Sequence, residues 1–207
     1  MVHLAISLLF LFGVQAEEKG FTPIFNGKDL AGIKFQLESK EADPAKTFSV
    51  KGGMIACTGS PNGYWYTVRS YKEFTLRFDW CYERPADLKN DEDFKGNSGY
   101  LLFIEKHEVW PRSLEVQGMN RDVGAIIPIQ FTKKPAIETD AAARKKARKP
   151  VGEWNAMEIE ARGGKIVVRL NGAVISTVTE YSPKEGPIGF QSEGAEIHWR
   201  NMRVREG

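Results

Sequence analysis

Residues 165–178 read KIVVRLNGAVISTV and give the clearest structural signal in the chain. Apolar residues recur at alternate positions on both sides of Asn171-Gly172, as in two half-buried strands. Asn-Gly supplies the positive φ angles that a tight two-residue turn requires. This stretch therefore predicts an antiparallel β-hairpin.

On both sides of the hairpin, short strand signals recur along the chain with turn residues between them. The predicted strands are Phe48–Val50, Met54–Thr58, Phe74–Tyr82, Tyr100–Glu105, Leu114–Gln117, Ala156–Ala161, Lys165–Leu170, Val174–Val178, Ile188–Gln191 and Ile197–Val204. One stretch, Ile137–Lys149, is rich in Ala, Lys and Arg, lacks an apolar stripe and is followed by Pro150, so it predicts a surface helix. The pattern favours an all-β antiparallel sandwich or jelly roll with one short surface helix.

Composition limits the classes of function. The 207 residues carry 29 basic and 27 acidic side chains, a formal net charge of +2, which gives no global field for binding nucleic acid. A hydrophobic fraction of 42% is that of an ordinary globular domain and excludes a disordered chain, collagen or a coiled coil. Because no linker or internal repeat divides the chain, residues 17–207 are predicted to form one domain.

The N-terminal segment resembles a secretory signal peptide. An apolar run from Leu4 to Val14 is too short to span a bilayer, and Val14-Gln15-Ala16 ends it with small residues at the cleavage positions. Residues 1–16 are therefore predicted to be removed, which leaves a secreted or periplasmic protein without a stable membrane anchor. An uncleaved anchor is the alternative.

Export affects the interpretation of Cys57 and Cys81, the two cysteines of the chain. Thiols are often paired in an oxidising compartment. A bond requires Cα atoms within about 7 Å, which the sequence does not establish. A disulfide and two free thiols both stay open, whereas neither cysteine has the surroundings of a catalytic nucleophile.

The ordered motifs of the chain resemble one family. They are Gly20–Leu30 (GFTPIFNGKDL), Phe48–Gly53, Tyr71–Trp80, Gly96–Gly99, Leu114–Gln117, Val151–Asn155, Leu170–Gly172, Gly186–Gln191 and Trp199–Val204. In this order they resemble the 3-keto-disaccharide hydrolase family, which has the concanavalin A-like lectin/glucanase fold. The resemblance implies a carbohydrate ligand and cleavage of a 3-keto glycoside.

Two carboxylates are the candidate catalytic residues. Glu115 and Gln117 match the family's Glu-x-Gln, and their spacing of two places both on one face of a strand. A carboxylate can move a proton there while an amide binds sugar hydroxyls. Asp79 stands where the family usually has Glu on the preceding strand, and is predicted to help orient the sugar.

Three more residues are candidate substrate ligands. Asn97 begins the retained Asn-Ser-Gly motif, and Trp65 lies in an aromatic triplet after a turn, where a ring can stack on a sugar. His107 follows Glu105 by two residues in the densest ionisable segment. One His and one carboxylate do not define a metal site by their spacing, so a divalent metal is an open possibility and no cofactor is assigned.

Some positions differ from the family pattern. Phe103 and Ile127 stand where the family has Arg and Tyr, and Ser192-Glu193-Gly194 replaces Asp-His-Gly. The preferred hypothesis is a secreted hydrolase of 3-keto glycosides. A non-catalytic glycan-binding module is the alternative, and a cell-surface interaction protein is a third. The sequence does not identify the sugar or the oligomeric state.

Overall fold

A computed structural model describes residues 18–181 and 184–207. Its strands form two antiparallel β-sheets. In chain order the strands are β1 (Thr22–Pro23), β2 (Ile33–Leu37), β3 (Phe48–Lys51), β4 (Met54–Cys57), β5 (Gly63–Thr67), β6 (Phe74–Tyr82), β7 (Gly99–Leu102), β8 (Ser113–Gln117), β9 (Ile126–Ile129), β10 (Ala136–Thr139), β11 (Asn155–Arg162), β12 (Lys165–Leu170), β13 (Ala173–Thr179), β14 (Gly189–Ser192) and β15 (Ile197–Glu206). Two short helices, α1 (Pro44–Thr47) and α2 (Ala141–Ala147), accompany them.

The strands are not paired in simple chain order. The larger sheet runs β10-β13-β12-β11-β6-β15-β4-β3, with β1 paired to β15. The smaller sheet runs β2-β5-β14-β7-β8-β9. The hairpin expected at Asn171-Gly172 is present as β12–β13, and both turn residues have positive φ angles of 49° and 86°. The predicted antiparallel sandwich is therefore confirmed.

Alternating side chains of both sheets form the core between them. From β6, Phe78 and Trp80 point inward, while Trp65 of β5 stacks on Phe190 of β14 with ring centroids 4.3 Å apart. Trp199 of β15 meets Trp65 edge-on from the opposite sheet. These aromatic contacts fix which residues of each strand face outward.

The helix is shorter than the sequence predicts. Residues 137–139 belong to β10, which pairs with β13, and the helix starts only after Asp140. The Asp140 side chain accepts a hydrogen bond from the Ala143 N–H at 2.8 Å, so it caps α2. The expected start at Ile137 is therefore wrong, because sheet pairing and an N-cap override the helical composition.

Cys57 and Cys81 are free and lie on opposite sides of β15. Cys57 pairs with Ile197, and Cys81 pairs with His198 from the other flank. Two strand spacings place their Cα atoms about 9–10 Å apart, which exceeds the reach of a disulfide. Their side chains also point to different faces of the sheet. Of the two alternatives left open by the sequence, a disulfide and two free thiols, the structure therefore supports two free thiols.

The predicted signal peptide, residues 1–16, lies outside the described residues. Among the residues that are described, no helix has the length and apolar character needed to cross a membrane.

Candidate functional site

The candidate site lies on the outer face of the smaller sheet. Leu114 and Val116 of β8 are fully buried in the core, so the intervening Glu115 points to the opposite face. The same alternation turns Gly99 of β7 and Gln191 of β14 outward. Because Gly99 pairs with Gln117 across β7–β8, three adjacent strands contribute to one patch.

Glu115 is a carboxyl group with little access to water. Its residue is only 6% exposed. Burial raises the pKa of its carboxyl to about 8, and the negative charge of Glu193 acts in the same direction. Glu115 therefore keeps its proton at neutral pH and can donate it to a bound molecule.

Gln191 has a buried amide without a partner. The residue is 1% exposed, and neither its Nε2 nor its Oε1 has a hydrogen-bond partner among the described residues. Its Oε1 and the Oε1 of Glu115 both lie over Gly99, in the space that a Cβ atom there would occupy. Because a buried unpaired amide is costly, this group is suited to bind a polar ligand group or the proton of Glu115.

Glu193 extends the patch by one more residue. Beyond the end of β14, it forms an isolated bridge with Asn97, which precedes β7. The Asn97 Oδ1 accepts the Ser98 N–H at 3.0 Å, while the Asn97 side chain also hydrogen-bonds to Glu193. Burial raises the pKa of Glu193, and this hydrogen bond opposes the rise. The predicted residue Asn97 therefore lies in the patch and holds a second carboxyl group.

Gln117 lies next to Glu115 on the same face, as its spacing predicts. Its Oε1 accepts the backbone N–H of Met119 at 2.7 Å, which fixes the side chain. We call this group of residues the Glu115 patch; it comprises Asn97, Gly99, Glu115, Gln117, Gln191 and Glu193.

His107 lies farther along the same face. The loop after β7 carries it over the sheet, where its ring stacks on Tyr66 with centroids 4.2 Å apart. The Tyr64 hydroxyl donates to the Glu108 carbonyl oxygen at 3.0 Å and holds this loop down. Burial and the charge of Lys34 lower the pKa of His107, which favours the neutral ring. Tyr66 and His107 line a surface depression of about 430 Å³ outside the Glu115 patch.

Trp65 does not reach this face. It is fully buried between the sheets, because its neighbours Tyr64 and Tyr66 take the outward positions of β5. The expectation that Trp65 offers a ring to a sugar is corrected for this reason. A different aromatic residue, Trp110, is 43% exposed in the loop between β7 and β8.

Asp79 lies on the other side of the molecule. It is on the outer face of the larger sheet, in β6, where it accepts hydrogen bonds from Asn201 Nδ2 at 2.6 Å and Arg200 Nε at 3.3 Å. The whole sandwich separates it from Glu115. The structure does not bring the two predicted carboxylates together.

No cluster of three or more His, Cys, Asp or Glu side chains suited to a metal ion occurs within residues 18–181 and 184–207. The polar groups that converge at the Glu115 patch are two carboxyl groups and the side-chain amides of Asn97, Gln117 and Gln191. Such a set suits proton transfer and the binding of hydroxyl or carbonyl oxygens.

Sequence reasoning missed Gln191 and Glu193 as site residues. Gln191 follows the core residue Phe190, so its outward direction follows from period two once β14 is placed. The residues that lie next to Gln191 in space cannot be predicted from this period, because β14 pairs with β7 and β5, both distant in sequence.

Solved structures share this architecture. A candidate glycosyl hydrolase from Parabacteroides distasonis has a TM-score of 0.64 at 20% identity, with 91% of this chain and 94% of that chain covered. The carbohydrate-binding module CBM66 from Bacillus subtilis has a TM-score of 0.55 at 14% identity over 90% and 96%. A β-glucanase from Bacillus licheniformis has a TM-score of 0.53 at 10% identity over 90% and 97%. At these identities the likeness concerns the fold alone.

No curated protein sequence matches the chain. The model of one family does match, over residues 20–205, and it is described as a 3-keto-alpha-glucoside-1,2-lyase-like domain. The match includes every residue of the Glu115 patch and all of the strands except Glu206, the last residue of β15. The chain therefore belongs to the family of 3-keto-α-glucoside-1,2-lyase-like domains.

Proposed function

We propose that the protein cleaves the glycosidic bond of a 3-keto glycoside at the Glu115 patch. The main support for this proposal is Glu115, a buried carboxyl group with a pKa of about 8 beside the unpartnered amide of Gln191. A carboxyl group that is protonated at neutral pH and lies beside polar groups able to hold a sugar is suited to act as a general acid. The family description, a lyase acting on a 3-keto glucoside, supports this substrate class.

The chemistry of the substrate determines what the site has to do. A ketone at C3 makes the hydrogen on C2 acidic, so removal of that proton and departure of the oxygen on C1 form a C1=C2 double bond. The departing oxygen needs a proton, and Glu115 is placed to give it. Addition of water to the double bond then yields the products of hydrolysis. A 1,2-lyase step followed by hydration therefore gives the same net reaction as a hydrolase.

Residues of the same face are suited to hold the sugar. The amides of Gln117 and Gln191 offer hydrogen bonds to hydroxyl or carbonyl oxygens. Asn97 positions Glu193 at the edge of the patch. The Tyr66–His107 pair, farther along the sheet, is a second surface for part of a longer glycan.

The test compares leaving groups. We expect Glu115→Gln to lower turnover of methyl 3-keto-α-glucoside by about 10²–10⁴-fold, the usual contribution of a general acid. Its effect on the 4-nitrophenyl glycoside is expected to be much smaller, because 4-nitrophenoxide departs without a proton. Wild-type activity on the methyl glycoside should fall above pH about 8, where Glu115 loses its proton.

Glu138→Gln is the matched control, since Glu138 is an exposed carboxylate on β10, remote from the patch. Equal losses in both variants, or equal effects on both glycosides, would contradict the role of Glu115. The second candidate function is glycan binding without cleavage, which the amide groups on this face favour. Binding of the glycosides by calorimetry with no turnover of either one would establish it instead.

The cellular location is part of the proposal. The signal-like segment at residues 1–16 supports a secreted or periplasmic protein. N-terminal sequencing of the protein exported by a native-like host tests it, with a new terminus at Glu17 as the expected result.

A further inference from the structure

A second carboxyl group, Glu193, accompanies Glu115 on the same sheet face. It lies just beyond the end of β14, two residues after Gln191, and near enough for its charge to act on Glu115. It is also more accessible than Glu115, being half-buried where Glu115 is buried. Two carboxyl groups of different burial have different proton affinities, which is the arrangement that an acid and base pair uses.

We propose that Glu193 is the base that removes the C2 proton of the 3-keto glycoside, with Glu115 as its acid partner. This assignment rests on the proposed function and adds a catalytic residue to it.

The step balances with these two groups alone. The Glu193 carboxylate takes the proton from C2, and the C–H electron pair forms an enolate with its negative charge on the C3 oxygen. When the C3 carbonyl re-forms, this electron pair makes the C1=C2 bond. The C1–O bond breaks, and its electron pair stays on the departing oxygen, which receives the proton of Glu115. When water adds, the Glu115 carboxylate takes a proton from it as its oxygen bonds to C1, and Glu193 returns a proton to C2. Both carboxyl groups are then restored.

Gln191 supplies an independent sign that a ligand belongs between these groups. The residue is 1% exposed, and its amide has no partner in the described part of the chain, yet it lies beside Glu115 over Gly99. Removal of the C2 proton places negative charge on the C3 oxygen. A fixed amide N–H that is not used elsewhere can stabilise that charge.

The residues around Glu115 differ from those around Glu193, and this difference indicates which carboxyl group acts as the acid. Among the described residues, the strands facing Glu115 offer Leu101, Ile127 and Gln191, and the one charge that raises its pKa is Glu193. Around Glu193 the nearby polar groups are the Asn97 amide, which lowers its pKa, and the buried Tyr82 phenol. Glu193 is the less buried of the two carboxyl groups, and its contact with Asn97 favours the carboxylate form, so we assign it the role of the base.

A substrate analogue without a leaving group separates the two roles. In 1,5-anhydro-3-keto-glucitol, C1 carries no glycosidic oxygen, so only removal and return of the C2 proton can take place. Exchange at C2 for deuterium in D₂O is followed by NMR for the wild type, Glu115→Gln, Glu193→Gln and Glu193→Asp. Circular dichroism and thermal unfolding check that each variant is folded.

We expect wild type and Glu115→Gln to exchange C2 at similar rates, while Glu193→Gln loses about 100-fold or more. Glu193→Asp, which keeps a carboxylate, should retain slow exchange and so exclude a merely structural effect. Exchange lost in Glu115→Gln but kept in Glu193→Gln would overturn the assignment of the base, while glycoside cleavage by the wild type would still uphold the proposed function. A wild type that neither exchanges nor cleaves would overturn both.

Discussion

Glu115 and Gln191 lie on strands either side of β7, and their side-chain oxygens come together above Gly99. This arrangement requires a residue without a side chain between them. Among the described residues, the buried Gln191 amide has no hydrogen-bond partner there. The glycine of the Asn-Ser-Gly motif is thus the floor of the Glu115 patch as well as the start of a strand.

Gly99→Ala is expected to lower turnover of a 3-keto glycoside at least tenfold. The new methyl group overlaps with the oxygens of Glu115 and Gln191, so both side chains must move. Overpacking of this kind typically costs about 1–3 kcal/mol of stability. Gly172→Ala is the control, because its methyl group meets nothing while its φ of 86° still strains the turn. It should lose stability and keep its activity; equal activities of the two variants would contradict the packing argument.

Glu115→Gln should stabilise the protein increasingly as the pH rises from about 4.5 to about 8. The folded carboxyl keeps its proton up to about pH 8, whereas the unfolded chain releases it near 4.5. The unfolded state therefore binds fewer protons in this window, and the free energy of unfolding of the wild type falls as the pH rises. Because glutamine has no such proton, the difference grows by up to about 1.4 kcal/mol per pH unit.

Urea unfolding of both proteins at pH 4.5, 6 and 8 measures this difference. The exposed variant Glu138→Gln should show the wild-type pH dependence. A gap between Glu115→Gln and wild type that is constant, or that narrows with pH, would mean that Glu115 is ionised in the folded protein.

A reducing agent is expected to leave the melting temperature unchanged. Cys57 and Cys81 flank β15 from opposite sides, beyond the reach of a disulfide. Burial raises the pKa of Cys57 to about 11 and also raises that of Cys81, so both thiols react slowly in the folded state. Thiol titration in denaturant should find two free thiols without a reductant. Finding none would indicate an intramolecular bond and a different strand order.

The sequence predicted strands well where alternation and turns were both strong. Phe74–Tyr82 and Lys165–Leu170 have the predicted bounds in the structure. The strand Gly63–Thr67 was missed, because all five of its residues are buried and its sequence does not alternate. Its outward tyrosines lie beneath the loop that carries His107, which no local pattern reveals.

Sequence period alone predicted part of the candidate site. The Glu115–Gln117 pair needs only the period of one strand. The position of Asp79 depends on which sheet its strand joins, and this is fixed by pairing with β11 and β15, both distant in sequence. Gln191 and Glu193 come into the patch through the equally distant pairing of β14 with β7. Long-range pairing, which sequence period does not encode, determines what meets Glu115.

Trp65→Ala should destabilise the protein by about 3–5 kcal/mol, as expected for removal of a buried tryptophan. Trp65 is fully buried against Phe190 and Trp199. Trp110→Ala, the same change at a residue that is 43% exposed, should alter the free energy of unfolding by no more than about 0.5 kcal/mol. Urea unfolding at pH 6 compares them. Similar effects of both changes would mean that Trp65 is not a core residue.

Asp79→Asn is expected to leave turnover of 3-keto glycosides within about twofold of the wild type. Asp79 lies on the outer face of the larger sheet, so the core separates it from the Glu115 patch. Asparagine keeps an oxygen for the Asn201 amide and loses only the charge that faces Arg200. A half-exposed ion pair of this kind contributes about 0–1 kcal/mol, so little stability should be lost. If Asp79→Asn instead abolished turnover while Glu115→Gln kept it, the catalytic face would be that of the larger sheet.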